Sequence, residues 1–339
     1  MRTTEKSRPQ VTAGIPVAKK ILPSLVTGQE VVLIGIIAVL WILLGLLTPA
    51  FLTAGSILPL LVAVAPIALI GVGMTLIIIT AGIDVSVGAA IMVTSVVTSQ
   101  TMVATGIPLI PAVLLSVAVG ALLGLVNGYL VAYGKIHAII ITFGTANLFQ
   151  FIGLRFFGSS TVNGLPDTFD VFGRGEAGRT FGIPHSFAIT VIVVALAWWY
   201  LRHAASGRHL FAVGGNETAA RLAGIKVKPL ILRTYVITGA LVGLAACFLI
   251  GQGTSTLEQS VGAGRELAVI AAVVIGGTSI LGGRGTVLGT LLGAILVQTV
   301  TSGVTQMGWP SQLSDFFVGV AIIAAVGTDI LRERSRRKS

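Results

Sequence analysis

Hydrophobic residues in this chain run in long unbroken blocks instead of alternating with polar ones. The blocks recur at the length a helix needs to cross a bilayer, roughly 17 to 25 residues. That length predicts spans near Val31 to Leu47, Ile57 to Ala81, Val85 to Val103, Ile107 to Val131, Ile136 to Phe156, His185 to Leu201, Leu230 to Ile250, Leu267 to Leu281, Thr286 to Thr305 and Leu313 to Leu331. The expected fold is an all-α polytopic membrane protein of about ten transmembrane helices. Divided five and five, these spans put the second half upside down relative to the first, the inverted arrangement of many transporters. Parity alone carries that expectation, because residue-level repetition is weak. Leu267 to Leu281 is the shortest block and predicts a tilted or half-length helix.

Polar sequence divides the rest of the chain. Residues 1–30 form an N-terminal tail, 31–331 the transmembrane domain and 332–339 a basic tail. Within the domain, 202–229 is a densely basic loop, whereas 157–184 and 252–265 are rich in Gly, Pro, Ser and Thr. No short apolar core with a small-residue cleavage site precedes the first block, so the first span is expected to be retained. Small residues recur every fourth position at Gly120, Gly124 and Gly128, at Gly239 and Gly243, and at Gly285, Gly289 and Gly293, a spacing that brings helix backbones together.

Composition agrees with the blocks, at 54% hydrophobic and 10% charged residues. Mean hydropathy is +0.97. The formal charge of +10 would suit nucleic acid, but its distribution does not. With both termini cytoplasmic, only Arg155, Arg174, Arg179 and Arg265 of the 22 Lys and Arg fall outside. The positive-inside bias accounts for the charge, places loop 202–229 in the cytoplasm and loops 157–184 and 252–265 outside, and leaves no role for nucleic acid. The lone Cys247 lies in an apolar run, which excludes an intramolecular disulfide.

Two breaks interrupt the apolar blocks. The first, Thr80-Ala81-Gly82-Ile83-Asp84-Val85-Ser86, sets a carboxylate between spans. Asp84 reads either as a cap on the following helix or as a polar group on a solute path, and the two roles are compatible. The second, Gly276 to Gly285, carries Thr278 and Ser279 among glycines that permit an unwound stretch beside a polar cavity. Asn127, Asn147, Gln150 and Gln298 are further polar positions within spans, able to bond a solute or to cross-link helices. In the basic loop, Gly214-Gly215-Asn216-Glu217 predicts a helix start, with Asn216 capping, Thr218 to Ala223 helical and Gly224 ending it.

Other chemistries lack their residues. There is no phosphate-binding G-x-x-x-x-G-K-[ST] loop, no H-E-x-x-H or other His ligand spacing, no G-x-S-x-G elbow and no chain of intramembrane carboxylates for a proton relay. No catalytic residue, metal or cofactor is expected. An ion-driven secondary transporter is the competing class, and it leaves the short loop helix without a purpose.

Taken together, Gly73-Met74-Thr75 through Gly82-Ile83-Asp84-Val85-Ser86-Val87-Gly88, Ala212 through Ile225, and Ala271 through Ser279 with Gly282-Gly283-Arg284-Gly285 resemble the permease subunits of bacterial ABC sugar importers. The ribose, xylose, arabinose and autoinducer-2 types look nearest, and branched-chain amino acid permeases share the architecture; nucleosides are a further substrate class. The resemblance implies a multi-pass inner-membrane subunit that pairs with a second copy or a sister permease. It also implies two cytoplasmic ATPase subunits, which use the ATP, and a periplasmic or lipid-anchored sugar-binding protein. Carried over by position, the ATPase-coupling residues are Gly215, Asn216, Glu217, Ala219, Ala220, Arg221 and Gly224. Candidate solute-path residues are Asp84, Ser86, Thr278 and Ser279, with Asn127 and Asn147 behind them.

Overall fold

A computed structural model describes residues 28–338 apart from positions 135, 159, 160, 174 and 254, and from 328 onward the helix course alone is described. Most of the N-terminal tail, Lys135, Arg174 and the side chains of the basic C-terminal tail therefore lie outside the described residues. Eight described helices are long and apolar enough to cross a membrane. They are α1 (Gly28–Leu47), α2 (Ala54–Ile79), α3 (Val87–Thr105), α4 (Leu109–Gly134), α5 (Ala138–Phe157), α6 (His185–His203), α9 (Val227–Gln252) and α11 (Val287–Gln306). Helices α7 (Ala205–Gly215) and α8 (Glu217–Leu222) lie between α6 and α9, and α12 (Gln312–Lys338) contributes a shorter apolar stretch, Gln312–Gly327.

The block Leu267 to Leu281 is the half-length helix that its shortness allowed, and it ends earlier than the block does, at Ile275. Helix α10 (Arg265–Ile275) has only 11 residues, about 16 Å at 1.5 Å per residue, or half a bilayer. It stops because Gly276 begins a loop in which Gly277, Gly282 and Gly283 all take positive φ. Among the described residues eight helices and the shorter apolar stretch Gln312–Gly327 stand against the about ten spans expected, and the all-helical polytopic class holds.

Helix α2 is the axis of the bundle, with 94% of its apolar window buried. Pro66 lies in its interior. A proline there lacks the N–H that would bond the carbonyl of residue 62, and no water is at hand in hydrocarbon to replace it. Gln252, the last residue of α9, donates its Nε2 to that Val62 carbonyl at 3.1 Å. Gln298 of α11 and Thr190 of α6 donate to the nearby carbonyls of Ala63 and Ala65 at 3.3 and 3.2 Å. The proline that weakens α2 is therefore where three other spans grip it.

The glycine ladder on α4 packs against α9. A Cβ on Gly120 would come within 2.2 Å of the Gly239 carbonyl oxygen, and one on Gly124 within 2.2 Å of that of Tyr235. Ser116 then donates its hydroxyl to the Gly243 carbonyl at 2.7 Å. Small residues supply the close contact that apolar burial cannot drive in lipid. Gly289 and Gly293 serve α11 in the same way, their Cβ positions falling 2.0 Å from the carbonyl oxygens of Gly276 and Ala272 on the α10 side.

Short connections close the end of the bundle opposite α8. Strand β1 (Val162–Asn163) pairs antiparallel with β4 (Thr256–Leu257), joining the two segments expected to be external loops. A second pair, β2 (Arg179–Thr180) with β3 (Ile183–Pro184), leads into α6. Two 3-10 turns, Asp167–Phe172 and Glu176–Gly178, border a crevice of about 530 Å³ over the end of α9.

Candidate functional site

The first break is tied down by its own polar residues. Beyond Ile79 the chain turns through Ala81, a non-glycine residue with φ of 62°, and reaches the buried Asp84. Asp84 Oδ1 accepts from the Ser86 N–H at 2.9 Å and from the Ser86 hydroxyl at 2.7 Å. Asn127 of α4 donates its Nδ2 to Ser86 Oγ at 2.6 Å and approaches both carboxylate oxygens at 3.4 Å. Thr142 of α5 donates to the Ile83 carbonyl at 3.1 Å and accepts from the Val85 N–H at 3.2 Å. Asp84 thus closes a turn just ahead of α3, and α4 and α5 hold that turn in place. Among the buried atoms around it, Asn127 Oδ1 and Tyr235 Oη have no partner.

The second break lies against the first. Thr278 and Ser279 are both buried at 2% exposure. The Ser279 N–H bonds the Arg284 carbonyl and the Gly282 N–H bonds the Ser279 carbonyl, each at 3.0 Å, forming a compact turn. From its tip the Gly283 N–H reaches the Ile79 carbonyl at 2.8 Å. That carbonyl belongs to the last turn of α2 and has no partner within the helix.

Of the sequence-derived path residues, Asp84, Ser86 and Asn127 converge in one cluster, and Thr278 and Ser279 occupy the neighbouring break. Asn147 stands apart, exposed on α5. It lines a cavity of about 270 Å³ with Val85, Gly88, Gln150, Gln259 and Glu266. Glu266 and Gln259 were not singled out from the sequence. The available signal was a lone carboxylate at the start of an unusually short apolar block. Glu266 sits in the first turn of α10, where its charge suits the helix dipole, and Gly88 leaves it room: a Cβ there would lie 2.2 Å from Glu266 Oε2. Among the described residues no Lys or Arg lines this cavity.

The polar segment between α6 and α9 is more ordered than its composition suggests. The helix α7 was not expected from the sequence, yet it lays Leu210 and Val213 onto a cluster that includes Val72, Leu76 and Ile79 of α2. Asn216 follows and caps α8, its Oδ1 accepting from the Ala219 N–H at 2.9 Å. At the other end the Gly224 N–H bonds the Arg221 carbonyl at 3.0 Å and the Ile225 N–H bonds the Ala220 carbonyl at 3.1 Å. With Gly224 at φ of 83°, this is a Schellman closure. Glu217 pairs with Arg221 one turn on. Gly215, Asn216, Glu217, Ala219, Arg221 and Gly224 are exposed, whereas Ala220 is buried at 4% and fixes α8 to the bundle.

Comparison with known proteins supplies the kinship. Residues 56–326 match the family model described as branched-chain amino acid transport system / permease component. The chain belongs to that permease family. It is 36% identical over 292 residues to the ribose import permease protein of Escherichia coli (strain K12), covering 86% of this chain and 90% of that protein. A D-allose transport system permease protein of the same organism is 34% identical over 297 residues, covering 87% and 90%. The fructose import permease protein of Rhizobium meliloti is 34% identical over 288 residues, covering 82% and 79%. No solved structure matches the chain significantly. This permease is thus a multi-pass membrane component of an import system, and its relatives are permease subunits rather than enzymes.

Proposed function

We propose that this permease forms the translocation path of an ATP-driven importer for a monosaccharide, in a plasma (inner) membrane with both termini in the cytoplasm. The observation that carries the reading is similarity along nearly the whole length of relatives named for ribose, allose and fructose. The cavity offers side-chain amides and one carboxylate, groups that donate to and accept from hydroxyls. Asn147, Gln150, Gln259 and Glu266 suit a neutral, many-hydroxylated solute.

Asp84, Ser86 and Asn127 shape the wall of that path from behind, together with the break that holds Thr278 and Ser279. Exposed amides on α5 at membrane depth are costly against lipid, so a second copy or a sister permease covers the α5 face and completes the path. The exposed face of α8 is the seat of a cytoplasmic ATPase subunit, and the crevice bordered by Asp167 and Asp170 faces a solute-binding protein outside. ATP is bound by the ATPase partner alone. Replacing Glu217 with Lys tests the α8 assignment: membrane insertion should persist while solute-stimulated ATP hydrolysis and uptake disappear. Normal uptake by that variant rejects it.

A further inference from the structure

Three backbone segments meet at one point in direct backbone contact. The first is the end of α2 at Ile79, the second is the tip of the second break at Gly282 and Gly283, and the third is Gly214 in the last turn of α7. A Cβ on Gly214 would lie 1.7 Å from the Ile79 carbonyl oxygen and 2.5 Å from the Gly283 nitrogen, the two atoms joined by the 2.8 Å hydrogen bond. A Cβ on Gly282 would lie 2.9 Å from the Gly214 carbonyl oxygen and 2.9 Å from the Ala81 Cβ. Any side chain at Gly214 must displace backbone, not the yielding end of another side chain.

What each segment leads to gives the contact its meaning. Gly214 is two residues before Asn216, the cap of α8, and the buried Leu210 and Val213 bind α7 to α2 as one packed unit. From Ile79 the chain passes within a few residues to Val85 and Gly88, which line the 270 Å³ cavity. From Gly283 the other break leads back through α10 to Glu266 on the same cavity. One contact therefore joins α8 to both breaks beside the cavity.

We propose that Gly214 is the positioning residue through which movement of α8 reaches the solute path, by direct backbone contact with the Ile79–Gly283 hydrogen bond. This rests on the proposed seating of an ATPase on α8. A side chain at Gly214 wedges the segments apart, so that α8 can still be driven while the two breaks no longer follow. The requirement is mechanical, and it differs from a docking role because Gly214 is half-buried beneath α8 instead of on its exposed face.

The test uses the complete transporter, permease with its ATPase and binding protein, in proteoliposomes. Three quantities are read: ATPase co-purification, ATP hydrolysis, and solute imported per ATP hydrolysed. Gly214→Ala should leave co-purification and hydrolysis near wild type while solute per ATP falls about tenfold or more. Gly285→Ala, whose Cβ meets only side-chain atoms of Thr278 and Ile79 at 2.8 and 2.9 Å, should show a smaller fall of the same kind and serves if Gly214→Ala does not assemble. Gly134→Ala, where a Cβ meets nothing within 4 Å, should match wild type in all three. Unchanged solute per ATP in both Gly214→Ala and Gly285→Ala overturns the proposal. So does loss of ATPase binding by assembled Gly214→Ala, which would make the residue part of the docking surface. Failure of the wild-type permease to retain any ATPase would instead defeat the α8 assignment itself.

Discussion

Gly224→Val probes the short helix at its most constrained position. Gly224 closes α8 at φ of 83°, a region that costs an L residue roughly 1–2 kcal/mol, with a β-branched side chain at the upper end. If the turn opens to relieve the strain, the Gly224–Arg221 and Ile225–Ala220 hydrogen bonds are lost, at about 0.5–1.5 kcal/mol each. Either route disfavours the ordered helix by about 2 kcal/mol, close to a thirtyfold shift in its population. Only Ala220 of α8 is buried, so the bundle itself should be little affected. Affinity of the purified permease for its ATPase should therefore fall by up to about thirtyfold, with faster amide exchange confined to residues 217–225 and an unchanged melting temperature. Undiminished ATPase affinity despite that local exchange would refute the claim that docking needs an ordered α8.

Other substitutions separate stability from transport. Asp84→Asn puts a second amide opposite Asn127 Nδ2 in a buried cluster and should lower stability by about 1–3 kcal/mol in thermal unfolding, with uptake per folded molecule retained; lost uptake at normal stability would place Asp84 on the solute path instead. Gly124→Ala drives a methyl toward the Tyr235 carbonyl and should destabilise by about 1–3 kcal/mol, visible as earlier aggregation on heating in detergent. Glu266→Gln keeps the shape of the cavity wall and should leave melting unchanged, while uptake falls about tenfold if the carboxylate bonds the solute; full uptake removes Glu266 from the path.

Much of the architecture was legible because apolar block length and the bilayer share one physical scale. Block length also flagged Leu267 to Leu281 as odd, but the stop at Gly276 depends on how the loop packs. The pairing of Val162 with Leu257 was hidden, since two-residue strands far apart in sequence leave no periodic trace. Helix α7 was missed because Gly214-Gly215 reads as the start of the next helix, yet Gly214 lies in the last turn of α7 and is needed for close approach. Asn216 and Gly224 were readable because caps depend on local backbone chemistry alone. Asn127 and Asn147 looked alike as polar residues in spans. Their faces decide them: Asn127 shares the small-residue face of α4 with Gly124 and Gly128, whereas Asn147 lies off the face of α5 that packs through Thr142, Thr145, Phe149 and Gly153.

Uptake of labelled ribose, allose and fructose into proteoliposomes tests the central claim most directly, with permease, ATPase and binding protein reconstituted and ATP supplied on the α8 side. Accumulation of a monosaccharide that requires ATP hydrolysis, persists without any ion gradient and is not competed by leucine is the predicted result. Accumulation driven by a proton or sodium gradient with the ATPase omitted would contradict it.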